Sequence, residues 1–200
     1  SEGIRGSVLN ATGSSRAEVS RHRAMWSAIH WSYSLLSEGE KALFRRMSVF
    51  IGGWTLEAAS EVVAGHQYGD IGLEINRNDV PDLLSFLVEK SVVTLGQPHG
   101  KARYRCLEMV RQFAVSKLEE SGEEIAARTA HKNFYSSFAA RAEPELCGPD
   151  QLQWFENIEG ELDNIRSIFQ WSARRGEYEA CLHIAGSLWW SGLREAIISK

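Results

Sequence analysis

The chain has 200 residues, of which 44% are hydrophobic and 10% aromatic, enough apolar material for one large domain or two small ones. Its net charge of -4 argues against a protein that mainly coats nucleic acid, and no run of about 18 apolar residues is present to cross a membrane. Cys106, Cys147 and Cys181 lie far apart with no CxxC pair, which reads as reduced small residues of a cytoplasmic protein rather than a disulfide framework.

Residues 1–20 are rich in Gly, Ser and Thr and read as a linker or the tail of an upstream domain. The chain opens on Ser1 and shows neither a secretory leader nor a terminal signal, so it reads as part of something longer. From His22, Trp26, Ile29, Tyr33 and Leu36 recur at helical spacing. "SEGE" from Ser37 to Glu40 is a capping box that opens a second helix. That helix is expected to bury Leu43, Phe44, Met47 and Phe50 and to show Lys41, Arg45 and Arg46 to solvent.

"IGGW" breaks this helix, and Thr55 can cap a third with Leu56, Ala59 and Val63 inward and Gly65 as its stop. After a polar loop, Asp79 and Pro81 open a fourth helix carrying Val80, Leu83, Leu84, Leu87 and Val88. The period then changes. "SVVTL", "GQPHG" and "KARYRC" predict a β-hairpin in which Arg103 and Arg105 alternate with Tyr104 and Cys106. A helix with Met109, Val110, Phe113, Ala114 and Leu118 on one face follows at once. Helices followed by a two-stranded wing predict a winged-helix domain over residues 21–121.

Residues 122–200 are expected to be a helical, repeat-like segment, so the fold class is mostly α. Ala127, Ala130, Phe134 and Phe138 mark one helix, closed near Pro144. Phe155, Ile158, Leu162, Ile165 and Phe169 mark the next, which Gly176 ends. Tyr178, Leu182, Ala185 and Trp189 mark its partner in an αα-hairpin, the unit of helical repeat proteins.

No chemistry of catalysis emerges from these residues, and the chain is read as a non-enzyme. "GQPHGKA" has three residues between its glycines where a phosphate loop needs four, and it sits in a hairpin turn. His30 and Ser32 are two apart on a helix and point to different faces, so neither activates the other. The six histidines show no metal-ligand spacing. Glu156, Glu159, Glu161 and Asp163 read as a solvated stripe on a helix whose other face is buried. Direct DNA binding is disfavoured, because the helix that would read bases carries Asp79, Asp82 and Glu89 against Lys90 alone. Lys101, Arg103 and Arg105 remain as candidate basic contacts on the wing.

Three segments in order, Arg21 to Ala59, "LLSFLVEKSVV" and "RYRCLEMVRQFAVSKLEESGE", resemble the middle of large bacterial regulators of the LuxR and SARP types and related cyclase-linked proteins. These are built on a STAND-type ATPase core. The resemblance runs to about Leu193 and implies a winged-helix domain followed by the first tetratricopeptide-like repeats, with a P-loop domain upstream binding ATP or ADP. It implies a regulatory part that couples nucleotide state to a region sensing a protein or small-molecule inducer, and no cofactor in this segment itself. Alternatives are a winged helix that binds DNA directly and an accessory domain of a nucleotide cyclase. The resemblance also implies that Trp31, Ser32 and Tyr33, with Leu107, Glu108 and Arg111, face the nucleotide domain. Related ATPases place a Met-His-Asp triplet where this chain has Cys106, Leu107 and Glu108, and Leu107 cannot donate the hydrogen bond that the histidine makes.

Overall fold

The computed structural model describes residues 20–21, 23–65, 68, 73–98 and 101–189. The expected linker up to residue 19, the helix start at His22, the wing tip at His99 and Gly100, and everything beyond residue 189 lie outside the described residues. The chain divides into two compact units, Ser1–Ser37 and Glu38–Lys200. In the first, helix α1 spans 23–34. The predicted stripe of Trp26, Ile29, Tyr33 and Leu36 is its less exposed side, and Trp31 and Leu35 face solvent. The Ser34 hydroxyl donates to the Trp31 carbonyl at 2.6 Å, a use internal to the helix.

The second unit contains α2 (Glu38–Met47), α3 (Leu56–Val63), a 3-10 turn (Arg77–Asp79) leading into α4 (Val80–Glu89), and strands β1 (Thr94–Gly96) and β2 (Arg103–Arg105). Then come α5 (Glu108–Glu120), α6 (Glu124–Glu145), α7 (Gln151–Arg175) and α8 (Glu179–Leu188). Among the described residues the protein is mostly helical with one small antiparallel sheet, as the sequence predicts. β1 and β2 pair with Thr94 opposite Arg105 and Gly96 opposite Arg103. Trp54 adds one bridge, exchanging hydrogen bonds of 2.9 and 2.8 Å with Tyr104.

Leu43, Phe44 and Met47 of α2, Leu84 and Leu87 of α4, and Phe113 and Leu118 of α5 are buried together at the centre of the winged part. Each such side chain contributes about 1.5–3 kcal/mol by leaving water. The Thr55 hydroxyl accepts from the Ala58 amide at 3.1 Å and caps α3, as expected. α6 packs on both α3 and α8, so the helical segment is built directly onto the winged part. Gly176, at φ 71, ends α7 in a left-handed cap.

Several expected faces turn out differently. Arg46 is fully buried, although periodicity placed it in water. Leu56 is exposed, because the buried arc of α3 runs through Ala58, Ala59, Val62 and Val63. The β-branched run becomes strand only from Thr94, after a turn in which Ser91 takes φ 56. In α6, Ala127 and Ala130 are buried as expected, but the large side chains buried with them are His131 and Tyr135, while Phe134 and Phe138 are half-buried. In α8, Ile184 and Leu188 are buried, whereas Tyr178, Leu182 and Trp189 are exposed. The shifts on helices share one cause. A helix packed against two neighbours buries a wide arc, and a stripe of apolar residues does not locate its centre.

Candidate coupling site and the cleft beside the wing

Four sequence-distant segments meet at Arg103. The chain turns after α2 through Gly52 and Gly53, and a Cβ on Gly53 would stand 2.5 Å from the Tyr104 carbonyl oxygen. Only glycine permits that approach at φ 95. The turn brings the Gly52 and Gly53 carbonyls against β2, and the Arg103 side chain points inward to meet them. Its Nη2 donates to the Gly53 oxygen at 3.0 Å and the Gly160 oxygen at 2.7 Å, and its Nε to the Gly52 oxygen at 3.3 Å. Its Nη1 and Nη2 reach the Glu161 carboxylate of α7 at 2.5 and 3.2 Å, a bidentate pair.

Glu161 also accepts from the Tyr135 hydroxyl of α6 at 2.5 Å and from the Asn164 amide at 2.7 Å. Asn164 closes the circuit, donating to the Gly53 oxygen at 3.0 Å and accepting from the Ile51 amide at 2.7 Å. Glu161 is therefore buried, not part of a solvated stripe, and Arg103 is buried where strand alternation turned it outward. Burial works against the Arg103 charge, but the Glu161 carboxylate more than offsets it and keeps the guanidinium firmly protonated. Burial, reinforced by the Glu161 charge, raises the Tyr135 phenol well above its ordinary value, so it stays a donor.

His131, one turn before Tyr135, packs edge-on against Phe50 with centroids 4.8 Å apart. Burial, with the Arg128 charge, lowers its pKa to about 3, so it is neutral at physiological pH.

Beside this network lies a cleft of about 350 Å³. The wing forms one wall through Lys101 and Arg105, and α6 and α7 form others through Phe134, Phe138, Arg141 and Trp154. Phe138 and Trp154 lie 5.7 Å apart at the centroids. Lys101 donates to the Asn157 side chain, Arg141 pairs with Glu57 at 2.9 Å, and Arg105 is exposed at the rim.

A second ionic cluster joins α2 to the start of α6. Arg45 and Arg46 both bind the buried Glu123 carboxylate, at 2.7 and 2.9 Å, and Arg46 also donates to the Leu73 oxygen at 2.7 Å. Burial alone would raise the Glu123 pKa, but the two guanidinium groups hold it below the usual carboxylate range.

Of the other residues singled out, Leu107, Glu108 and Arg111 share the N-terminal turn of α5, where Leu107 is 69% exposed. Arg111 binds Glu108 at 2.8 Å and donates to the Ser48 oxygen at 3.2 Å. The Arg111 guanidinium is thus engaged by a carboxylate of its own helix turn. Trp31, Ser32 and Tyr33 lie on α1 in the other unit, with Trp31 66% exposed. Among the described residues, no three His, Cys, Asp or Glu side chains gather to hold a metal ion. Cys106 is largely buried, which pushes its thiol up to about 12.

Sequence reasoning passed over Asn164, Tyr135 and Glu123, and it placed Glu161 and Arg46 in solvent. The available signal was polarity at core register: Glu161 and Asn164 stand three and four residues from Ile158, Ile165 and Ile168 on α7.

A fold of winged helix-like part and helical segment, joined through a buried polar network, is the class of structure defined here. No protein-family model and no solved structure matches the chain. Over 177 residues, 88% of its length, the chain is 37% identical to proteins of Mycobacterium bovis and Mycobacterium tuberculosis named "Putative HTH-type transcriptional regulator". It covers 19% of those proteins, so it spans about a fifth of the length of the curated relatives it matches. Over 125 residues, 62% of the chain, it is 34% identical to a Mycobacterium tuberculosis protein named "Uncharacterized protein", of which it covers 30%.

Proposed function

We propose that this chain is the regulatory, non-catalytic segment of a larger cytoplasmic transcriptional regulator of the STAND-type ATPase kind. Its winged part passes the nucleotide state of a P-loop domain, which holds ATP or ADP, to the tetratricopeptide-like helices that meet an inducer or partner. The observation that carries this reading is the buried network of Arg103, Glu161, Tyr135 and Asn164, which ties the wing and the Gly52–Gly53 turn to α6 and α7. A displacement of the wing therefore has to move the helical segment or break that network, as a two-state transmitter requires. The similarity to proteins named as transcriptional regulators supports the regulatory setting. No helix of the described residues is long and apolar enough to cross a membrane.

The name of those relatives also favours a second reading, a winged helix that itself contacts DNA. Against it, α4 turns Asp82, Ser85, Phe86 and Glu89 to solvent, and this face repels phosphate. On the wing, Arg103 is withdrawn into the interior, leaving Lys101 and Arg105. An electrophoretic shift of the chain on duplex DNA, run from about 50 to 200 mM salt, separates the two readings. The transmitter reading expects no retardation. Salt-sensitive binding that is lost on joint Lys101→Ala and Arg105→Ala substitution overturns it.

A further inference from the structure

The network occupies Arg103 and Glu161, but the cleft next to it has chemistry of its own. Its walls come from the wing, the start of α3, α6 and α7, and its volume of about 350 Å³ falls in the range of small-molecule sites, roughly 300–1,000 Å³. One side is aromatic, with Phe134, Phe138 and Trp154 all half-buried, so their faces are only partly covered by protein. The opposite rim is basic, formed by Lys101 and Arg105.

The charges around the cleft differ in how they are used. Arg103 is neutralised by Glu161, and Arg141 by Glu57. Lys101 is held by the neutral side chain of Asn157 and keeps its full charge. Arg105 extends from the exposed end of β2 with no carboxylate within ion-pair distance among the described residues, and Glu156 is engaged by the Gln153 amide at 3.2 Å. The rim thus carries a small excess of positive charge in a chain whose net charge is -4. A flat apolar body against the aromatic wall and one negative charge toward Arg105 and Lys101 would satisfy both sides. The carboxylates of Glu57 and Glu156 disfavour a dianion in the same space.

We propose that this cleft is a binding site for a planar aromatic monocarboxylate, held by stacking on Trp154 and Phe138 and by the cations of the wing. The ligand touches the wing on one side and α6 and α7 on the other, so its binding closes the cleft and stiffens the joint between them. The inference stands apart from any role in transcription.

Calorimetric titration of the chain with 1-naphthoate, and with 1-naphthamide as its uncharged counterpart, tests it. Saturable one-to-one binding of the acid is expected, with the amide at least about tenfold weaker, the loss of one charge-assisted contact. Arg105→Ala is expected to weaken the acid about tenfold and leave the amide unchanged. Trp154→Ala is expected to weaken both. Acid and amide of equal affinity, acid binding indifferent to Arg105→Ala, or no saturable binding of the acid to the folded chain each overturns the proposal. Arg105 is exposed and forms no ion pair among the described residues, so its variant is expected to fold and keeps the test decisive.

Discussion

Arg46 and Arg103 each meet, inside the protein, a glutamate contributed from far along the chain, Glu123 and Glu161, yet their surroundings differ. The Arg46 guanidinium lies 3.7 Å above the Tyr68 ring and, among the described residues, has a single backbone acceptor, the Leu73 carbonyl, and no hydrogen-bond partner for its Nη1. Arg103 has three backbone acceptors besides its carboxylate, and it borders an open cleft. The first arginine depends on its carboxylate partner. The second sits in a cradle of carbonyls that would hold part of its charge without Glu161. An ion pair sealed in a core acts as a fixed brace, whereas one at a cleft can be loosened and re-formed, which suits a coupling element.

This contrast can be broken most directly at the carboxylates. Glu123→Ala leaves both Arg45 and Arg46 without their shared partner and is expected to cost about 4 kcal/mol in equilibrium urea unfolding, within the range for a broken buried pair. Glu161→Ala is expected to cost less, about 3 kcal/mol, because the Gly52, Gly53 and Gly160 carbonyls still accept from Arg103. Adding Arg103→Met to Glu161→Ala should recover part of that loss by removing the stranded charge. A larger cost at Glu161 than at Glu123 would refute the distinction drawn between the two sites.

Acid separates the regions by pH. His131, held neutral with a pKa of about 3, lies on α6 beside the cleft network, one turn from Tyr135. Its ordinary value is about 6.5, so below that pH the unfolded chain takes up a proton that the native chain refuses. Its stabilising contribution is complete above about pH 6.5 and falls by about 1.4 kcal/mol per pH unit as the pH drops toward 3. The Glu123 carboxyl, lowered from 4.5, adds its loss only below about that pH. Chemical denaturation between pH 6.5 and 5 should therefore show a decline in the parent chain and a nearly level stability in His131→Phe. An equal decline in both would rule His131 out as the source. The smallest effect is expected at Arg105→Ala, within about 0.5 kcal/mol, although Arg105 is only two residues from Arg103 on the same strand. A large loss there would show that the wing is held from its exposed side as well.

Much of the fold was legible without coordinates, because local rules decide it. Thr55 caps α3, Pro81 stands in the first turn of α4, Gly176 ends α7, and the switch from helical to alternating period marks the wing. Each of these depends on residues within a few positions of one another. The candidate site was much less legible. Arg103 and Arg105 have the same residue type and the same strand parity, yet one is buried and the other exposed. What separates them is the Gly52–Gly53 turn and α7, which lie about 50 and 58 residues away.

The sequence by itself determined where helices begin and end, where the hairpin falls, and that no phosphate loop or metal-ligand spacing is present in these residues. Tertiary structure alone decided which charges enter the interior. A buried charge is tolerated only where its partners converge from several elements at once, and helical or strand period does not carry that information. Glu161 and Arg46, both on helix faces that period alone leaves wet, are buried because α6 and α7 close over the wing and the start of α6 closes over α2.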